Sequence, residues 1–152
     1  MVFRLDDRLL FPDAARAEAD GLVAMGGDLS VDRLLLAYRN GIFPWYNDDM
    51  PILWYSPHER FVLFPAELKI SKSMRQVIRS GRFHVTHDEC FERVIEECSA
   101  TARDGQDGTW ITAEMKDAYI KLHREGYAHS VEVWEKDELA GGLYGVEVGS
   151  VF

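Results

Sequence analysis

The stretch Asn40 to Trp45 reads N-G-I-F-P-W and packs three unusual features into six residues. Gly41 permits a positive φ and Pro44 fixes its own, so together they pin a loop that holds Phe43, Trp45 and Tyr46 in a set geometry. Such a loop suits a flat ligand or a protein partner, and it equally suits a cluster of core aromatics beneath a turn. Trp110 sits in a second glycine-flanked, polar setting, G-T-W-I-T at Gly108 to Thr112. Tryptophans placed like Trp45 and Trp110 can stack on an unpaired base.

A second chemistry is carried by charge. The chain has a formal net charge of −9 and a pI near 5.0, which by itself argues against nucleic acid as a partner. Its distribution argues the other way, because Lys69 to Arg82 holds five basic residues and no acid. On a helix of 100° per residue, Lys72, Arg75, Arg79 and Arg82 fall within roughly 80°, with Met74, Val77 and Ile78 opposite. A solvated surface helix usually mixes signs to gain pairs at i±4, and this one does not. An external polyanion would relieve the repulsion; a plain solvated face is the alternative reading.

Other site chemistries find no support. His58, His84, His87, His123 and His129 form no H-E-x-x-H pattern, and His84 and His87 should lie on opposite faces of a strand. Cys90 and Cys98 lack a C-x-x-C spacing and read as free thiols. Asp104, Asp107 and Glu114 lack calcium-loop spacing, so the loop from Arg103 to Gly108 reads as solvated. Neither a P-loop nor G-x-G-x-x-G occurs. No apolar run approaches the ~20 residues that span a bilayer, and the N-terminus lacks a secretory signal, so a cytoplasmic location is expected.

The elements that must position these groups follow from period and punctuation. A helix is expected from about Val31 to Asn40, capped by Ser30 and closed by Gly41. Phe61 to Phe64 reads as a short strand, and His58 to Arg60 as a domain boundary. A helix from Ser71 to Ser80 ends at Gly81, and Phe83 to Thr86 alternates like a strand. A third helix, capped by Thr86 or Asp88, turns Phe91, Val94, Ile95 and Cys98 inward. Thr112 caps a fourth, with Met115, Ala118, Tyr119 and Leu122 inward. Val131 to Trp134 and Leu139 to Val148 read as a hairpin around an acidic turn, and Val148 to Phe152 as an apolar, strand-like end. Periodicity alone supports an α+β class.

The order G-G-D-L-S, N-G-I-F-P-W, W-Y-S-P, G-T-W-I-T, H-S-V-E-V-W and G-G-L-Y-G-V resembles the bacterial leucyl/phenylalanyl-tRNA–protein transferases over nearly the whole chain. The resemblance implies a small N-terminal α+β domain at residues 1–60, carrying the N-G-I-F-P-W loop, then an incomplete acetyltransferase-like domain at 61–152. It further implies that Trp45 and Trp110 clamp the terminal adenosine of an aminoacyl-tRNA. Leu143 and Phe152 would line a pocket for the Leu or Phe side chain, although ordinary core packing explains those two residues as well. Lys72, Arg75, Arg79 and Arg82 would meet the acceptor-stem phosphates. The acceptors would be proteins beginning with Arg or Lys, marked thereby for degradation. Ester-to-amide transfer is downhill and calls for no metal or cofactor. The family's proton-handling Asp and Gln would lie past Phe152, so no catalytic residue is assigned and an N-terminal portion, inactive alone, is expected. Rival readings are a peptidoglycan-type aminoacyltransferase or an acetyltransferase on the same fold, and a non-catalytic RNA-binding module.

Overall fold

Seven strands in two sheets and four helices make up the computed structural model, which describes residues 2–101 and 109–152. The class is α+β. The first sheet takes β1 (Phe3–Leu5), β2 (Leu22–Gly26), β3 (Phe43–Pro44) and β4 (Leu53–Tyr55) in the order β1-β2-β4-β3. Only β1 and β2 run parallel. The helix between β2 and β3 is α1 (Val31–Arg39), whose Ser30 hydroxyl accepts from the Arg33 N–H at 3.4 Å. Gly41, at φ +68°, ends it, its N–H returning to the Tyr38 carbonyl at 3.0 Å.

The second sheet is fully antiparallel and ordered β5 (Phe83–His87), β6 (Ala128–Glu135), β7 (Glu138–Val146). Around it stand α2 (Lys72–Arg79), α3 (Phe91–Ala100) and α4 (Ala113–Arg124). The hairpin turn between β6 and β7 is tight enough to force Lys136 to φ +56°. The hydrophobic cores beneath the two sheets are continuous: Ala24, Leu34, Ile42 and Trp54 from the first part join Ile95, Met115, Leu122 and Ala128 from the second. A hydrogen bond between the Tyr38 and Tyr119 hydroxyls links α1 to α4 inside that core.

Four expectations need correction. Phe61 to Phe64 forms no strand; it is exposed and runs into a 3-10 turn at Pro65–Glu67, because no neighbouring backbone pairs with it. The cap of α3 is Cys90, since Thr86 and Asp88 spend their oxygens elsewhere. Arg82 falls beyond the end of α2, after the Ser80 cap. The last residues make one isolated bridge, Val148 to Val151, around Gly149 at φ +63°, so they turn back and do not extend as a strand. The loop expected at Arg103 to Gly108 lies outside the described residues. His84 and His87 do sit three apart on β5, and among the described residues neither cysteine forms a disulfide.

Candidate functional site

Much of what the motifs do is hold one another. Asp28 of G-G-D-L-S accepts from the Ser30 N–H at 2.8 Å and from the Arg33 guanidinium at 3.1 Å. Arg33 is fully buried and also donates to the Arg8 and Asp6 carbonyls, so its charge is paired and solvated by backbone. Burial pushes the Asp28 carboxyl up, but the bonds from Ser30 and Arg33 outweigh it and leave the group below its ordinary value. Trp54 of W-Y-S-P is core, with its indole N–H on the Gly26 carbonyl at 2.9 Å. Sequence reasoning had no signal for a buried Arg33.

The loop after α1 leads into β3, and the loop before α4 carries T-W-I-T. Trp110 is set between two threonines: Thr109 Oγ1 accepts from the Ile111 N–H at 3.1 Å, and Thr112 Oγ1 caps α4 by accepting from the Met115 N–H at 3.2 Å. Between these loops and β7 lies a cavity of about 770 Å³. Its lining includes Phe43, Pro44, Trp110, Leu143 and Phe152. Tyr38, Tyr119 and Tyr144 line it as well. Burial raises the Tyr38 hydroxyl to about 12 and drives that of Tyr119 well above its usual value, so both remain protonated hydrogen-bonding groups.

Of the residues singled out in the sequence, Trp110, Leu143 and Phe152 therefore line one cavity. Trp45 does not line it. Half exposed at 50%, it packs edge-on against Tyr55 with ring centroids 5.6 Å apart. Two glycines of G-G-L-Y-G are set by packing: a Cβ on Gly142 would meet the Val94 side chain at 3.1 Å, and one on Gly145 would meet the Phe152 ring at 2.9 Å. Gly145 thus makes room for Phe152 against the strand. No side-chain carboxylate and no histidine is among the described residues of the lining.

The basic helix is a separate feature. Every residue of α2 is exposed on both its faces, and Lys72, Arg75 and Arg79 carry no ion pair among the described residues. Arg82 departs from the expectation of a basic arc without counter-charge. It forms a two-point pair with Glu135 of β6, at 2.7 and 3.0 Å.

A polar cluster on β6 was missed in the sequence. Glu132 is buried yet accepts from the Thr86 hydroxyl at 2.6 Å and the Ser130 hydroxyl at 2.5 Å, and Thr86 in turn accepts from the Trp134 indole at 2.8 Å. Burial raises its carboxyl, and those hydrogen bonds more than reverse the effect. Asp88, at φ +58°, accepts from His129 Nδ1 at 2.7 Å and from the Ser130 N–H at 2.8 Å. Burial raises it too, and the hydrogen bond from His129 leads those that bring it below its usual value. Alternation along β6 would have marked Glu132 and Ser130 as sharing one face; the Thr86 partner comes from β5. Among the described residues no group of His, Cys, Asp and Glu is arranged to hold a metal.

Comparison with known proteins returns two family matches in register. Residues 27–58 match the leucyl/phenylalanyl-tRNA protein transferase N-terminal domain, and residues 62–152 match the leucyl/phenylalanyl-tRNA protein transferase family. Curated relatives named leucyl/phenylalanyl-tRNA–protein transferase include those of Anaeromyxobacter sp. (strain Fw109-5), 57% identical over 151 residues, and Syntrophobacter fumaroxidans, 60% identical over 151 residues. In both, the match covers 99% of this chain and 64% of the relative. The relative from Myxococcus xanthus is 54% identical over 143 residues, covering 94% of this chain and 61% of its own. The chain thus spans somewhat under two-thirds of the length of these relatives.

Proposed function

The chain belongs to the leucyl/phenylalanyl-tRNA protein transferase family, and from that premise we propose that its cavity receives the aminoacylated 3′ end of a leucyl- or phenylalanyl-tRNA. What supports the reading is the convergence of Trp110, Leu143 and Phe152, distant in sequence, on one space of about 770 Å³. Trp110 stacks on the terminal adenine, and Trp45, which packs against Tyr55 outside the cavity lining, turns from that contact to cover the adenine's other face. Leu143 and Phe152 meet the apolar side chain of the amino acid. Lys72, Arg75 and Arg79 contact acceptor-stem phosphates without reading sequence.

The reaction is an aminolysis. The α-amine of an acceptor beginning with Arg or Lys attacks the ester carbonyl, a C–N bond forms, and the ribose oxygen leaves with the proton the amine gives up. The product is an acceptor bearing a new N-terminal Leu or Phe, a mark for degradation. The setting is the cytoplasm, and residues 61–152 form part of an acetyltransferase-like domain behind an N-terminal unit of residues 1–60. Positioning supplies most of the rate. A second reading, binding of the aminoacyl end without completing transfer, is favoured by the described residues of the lining, which include no carboxylate or histidine side chain to take the amine's proton.

Replacing Trp110 with Ala should weaken binding of 3′-phenylalanylamino-adenosine, an amide-linked mimic of the aminoacyl end, by about 1–3 kcal/mol in calorimetric titration. The same change made at Trp54, a core indole, should lower the melting temperature instead. Unaltered affinity of folded Trp110→Ala protein would remove the stacking role and with it the pocket reading.

A further inference from the structure

In a chain of net charge −9, the basic side chains among the described residues lining the cavity are two arginines, Arg39 and Arg60. Arg39 is the last residue of α1, exposed and without an ion pair among the described residues. Glu147, which shares an adjoining smaller cavity with Arg39, is directed to His129 Nε2 at 3.4 Å. Arg60 is held from behind. Its Nη2 donates to the Gly41 carbonyl and to Ser56 Oγ, the latter at 3.2 Å, and its guanidinium lies 5.7 Å from the centroid of the Phe43 ring. That leaves the Nη1 and Nε hydrogens with no acceptor among the described residues. A guanidinium anchored on one edge and open on the other is preorganised for an oxyanion, because its fork needs little further ordering.

We infer that Arg39 and Arg60 form a phosphate subsite at the rim of the cavity, which takes the phosphate on the 5′ side of the terminal adenosine. The inference rests on the pocket reading proposed above and adds an orientation to it. Two guanidinium charges repel the α-ammonium of an aminoacyl group and attract a phosphodiester. The nucleotide therefore enters with its phosphate toward Arg39 and Arg60 and its amino acid toward Leu143 and Phe152. By the same repulsion, a cationic acceptor N-terminus approaches from the side away from these arginines. Sequence gave no hint of the subsite, since Arg39 and Arg60 belong to no basic run.

The test is calorimetric titration of the 152-residue chain with 3′-phenylalanylamino-adenosine, with and without a 5′-phosphate. The phosphate should tighten binding to the unaltered protein about tenfold, as expected for charge-assisted hydrogen bonds. Arg39→Gln and Arg60→Gln should each lose most of that gain while holding the unphosphorylated analogue as before. Arg39→Gln guards against misfolding of the loop variant, since Arg39 makes no side-chain bond among the described residues. A phosphate gain unchanged in both variants overturns the subsite and leaves the pocket reading intact. Failure of the unaltered chain to bind either analogue overturns the pocket reading, and the subsite falls with it.

Discussion

Glu132 and Asp88 are carboxylates whose folded-state proton affinity lies below the ordinary one, and the direction sets a pH dependence. A depressed carboxyl contributes stability that is fully present above its unfolded value and is lost as pH falls through the folded value. The chain should therefore lose stability progressively below about pH 4, near where free carboxyls titrate. Glu132→Gln replaces an acceptor by an amide that must point a donor at Thr86, Ser130 or the Cys90 N–H. It should cost roughly 1–3 kcal/mol at pH 7 and flatten the acid limb of the melting-temperature profile. A profile parallel to that of the unaltered protein would mean that Glu132 does not titrate in that range. Gly145→Ala probes a different contact, pressing a methyl group into the Phe152 ring. It should weaken the aminoacyl analogue with little change in melting temperature, because Phe152 is 59% exposed and contributes little to the core.

At the scale of elements, α2 is the outlier. Its eight residues bury nothing, although Ser71 caps it by accepting from the Met74 N–H at 3.1 Å. An isolated helix needs about 12–15 residues to be even marginally stable in water, so cap and local bonds alone leave this one weak. Its amides should exchange fastest among the four helices, and binding of tRNA should protect them. Equal protection of α2 and α4 in the free chain would refute that. The slope of log affinity against log salt should fall by about 0.9 for each of Arg75→Ala and Arg79→Ala that removes a phosphate contact. Arg82→Ala should change it less, since Glu135 already neutralises Arg82, whereas Glu135→Gln should raise it.

Taken as a whole, the molecule has its densest run of exposed apolar side chains from Phe61 to Ile78, with Phe61, Val62, Leu63, Phe64, Leu68 and Ile70 followed on α2 by Met74, Val77 and Ile78. Apolar exposure of this kind marks a contact surface or a tendency to associate. Sedimentation of the isolated chain should show concentration-dependent self-association, reduced by Phe61→Lys with Phe64→Lys. A monomer at all accessible concentrations would refute this. The cavity, by contrast, depends on both sheets at once. Its lining comes from β3, the turn before α4, β7 and the final residues, and the Tyr38 to Tyr119 bond joins two of its lining side chains.

Local chemistry determined the helices, because a cap, a glycine stop and a 3.6-residue stripe are written within a dozen residues. Ser30, Ser71 and Thr112 cap as their positions require, and Met115, Ala118, Tyr119 and Leu122 are the buried face of α4. The order of motifs likewise determined the family. Pairing across the chain was decided only by the fold. Whether Phe61 to Phe64 is a strand depends on a neighbour to bond with, and whether Arg82 is available to an anion depends on Glu135, which reaches it through β6. Trp45 and Trp110 read alike as glycine-flanked tryptophans, yet one packs against Tyr55 outside the cavity and the other lines it. The reason is that burial and charge pairing are properties of what comes together in space: beside nearby partners, Glu132 meets Thr86, Arg33 meets the Asp6 and Arg8 carbonyls and Arg60 meets the Gly41 carbonyl, all remote from them along the chain.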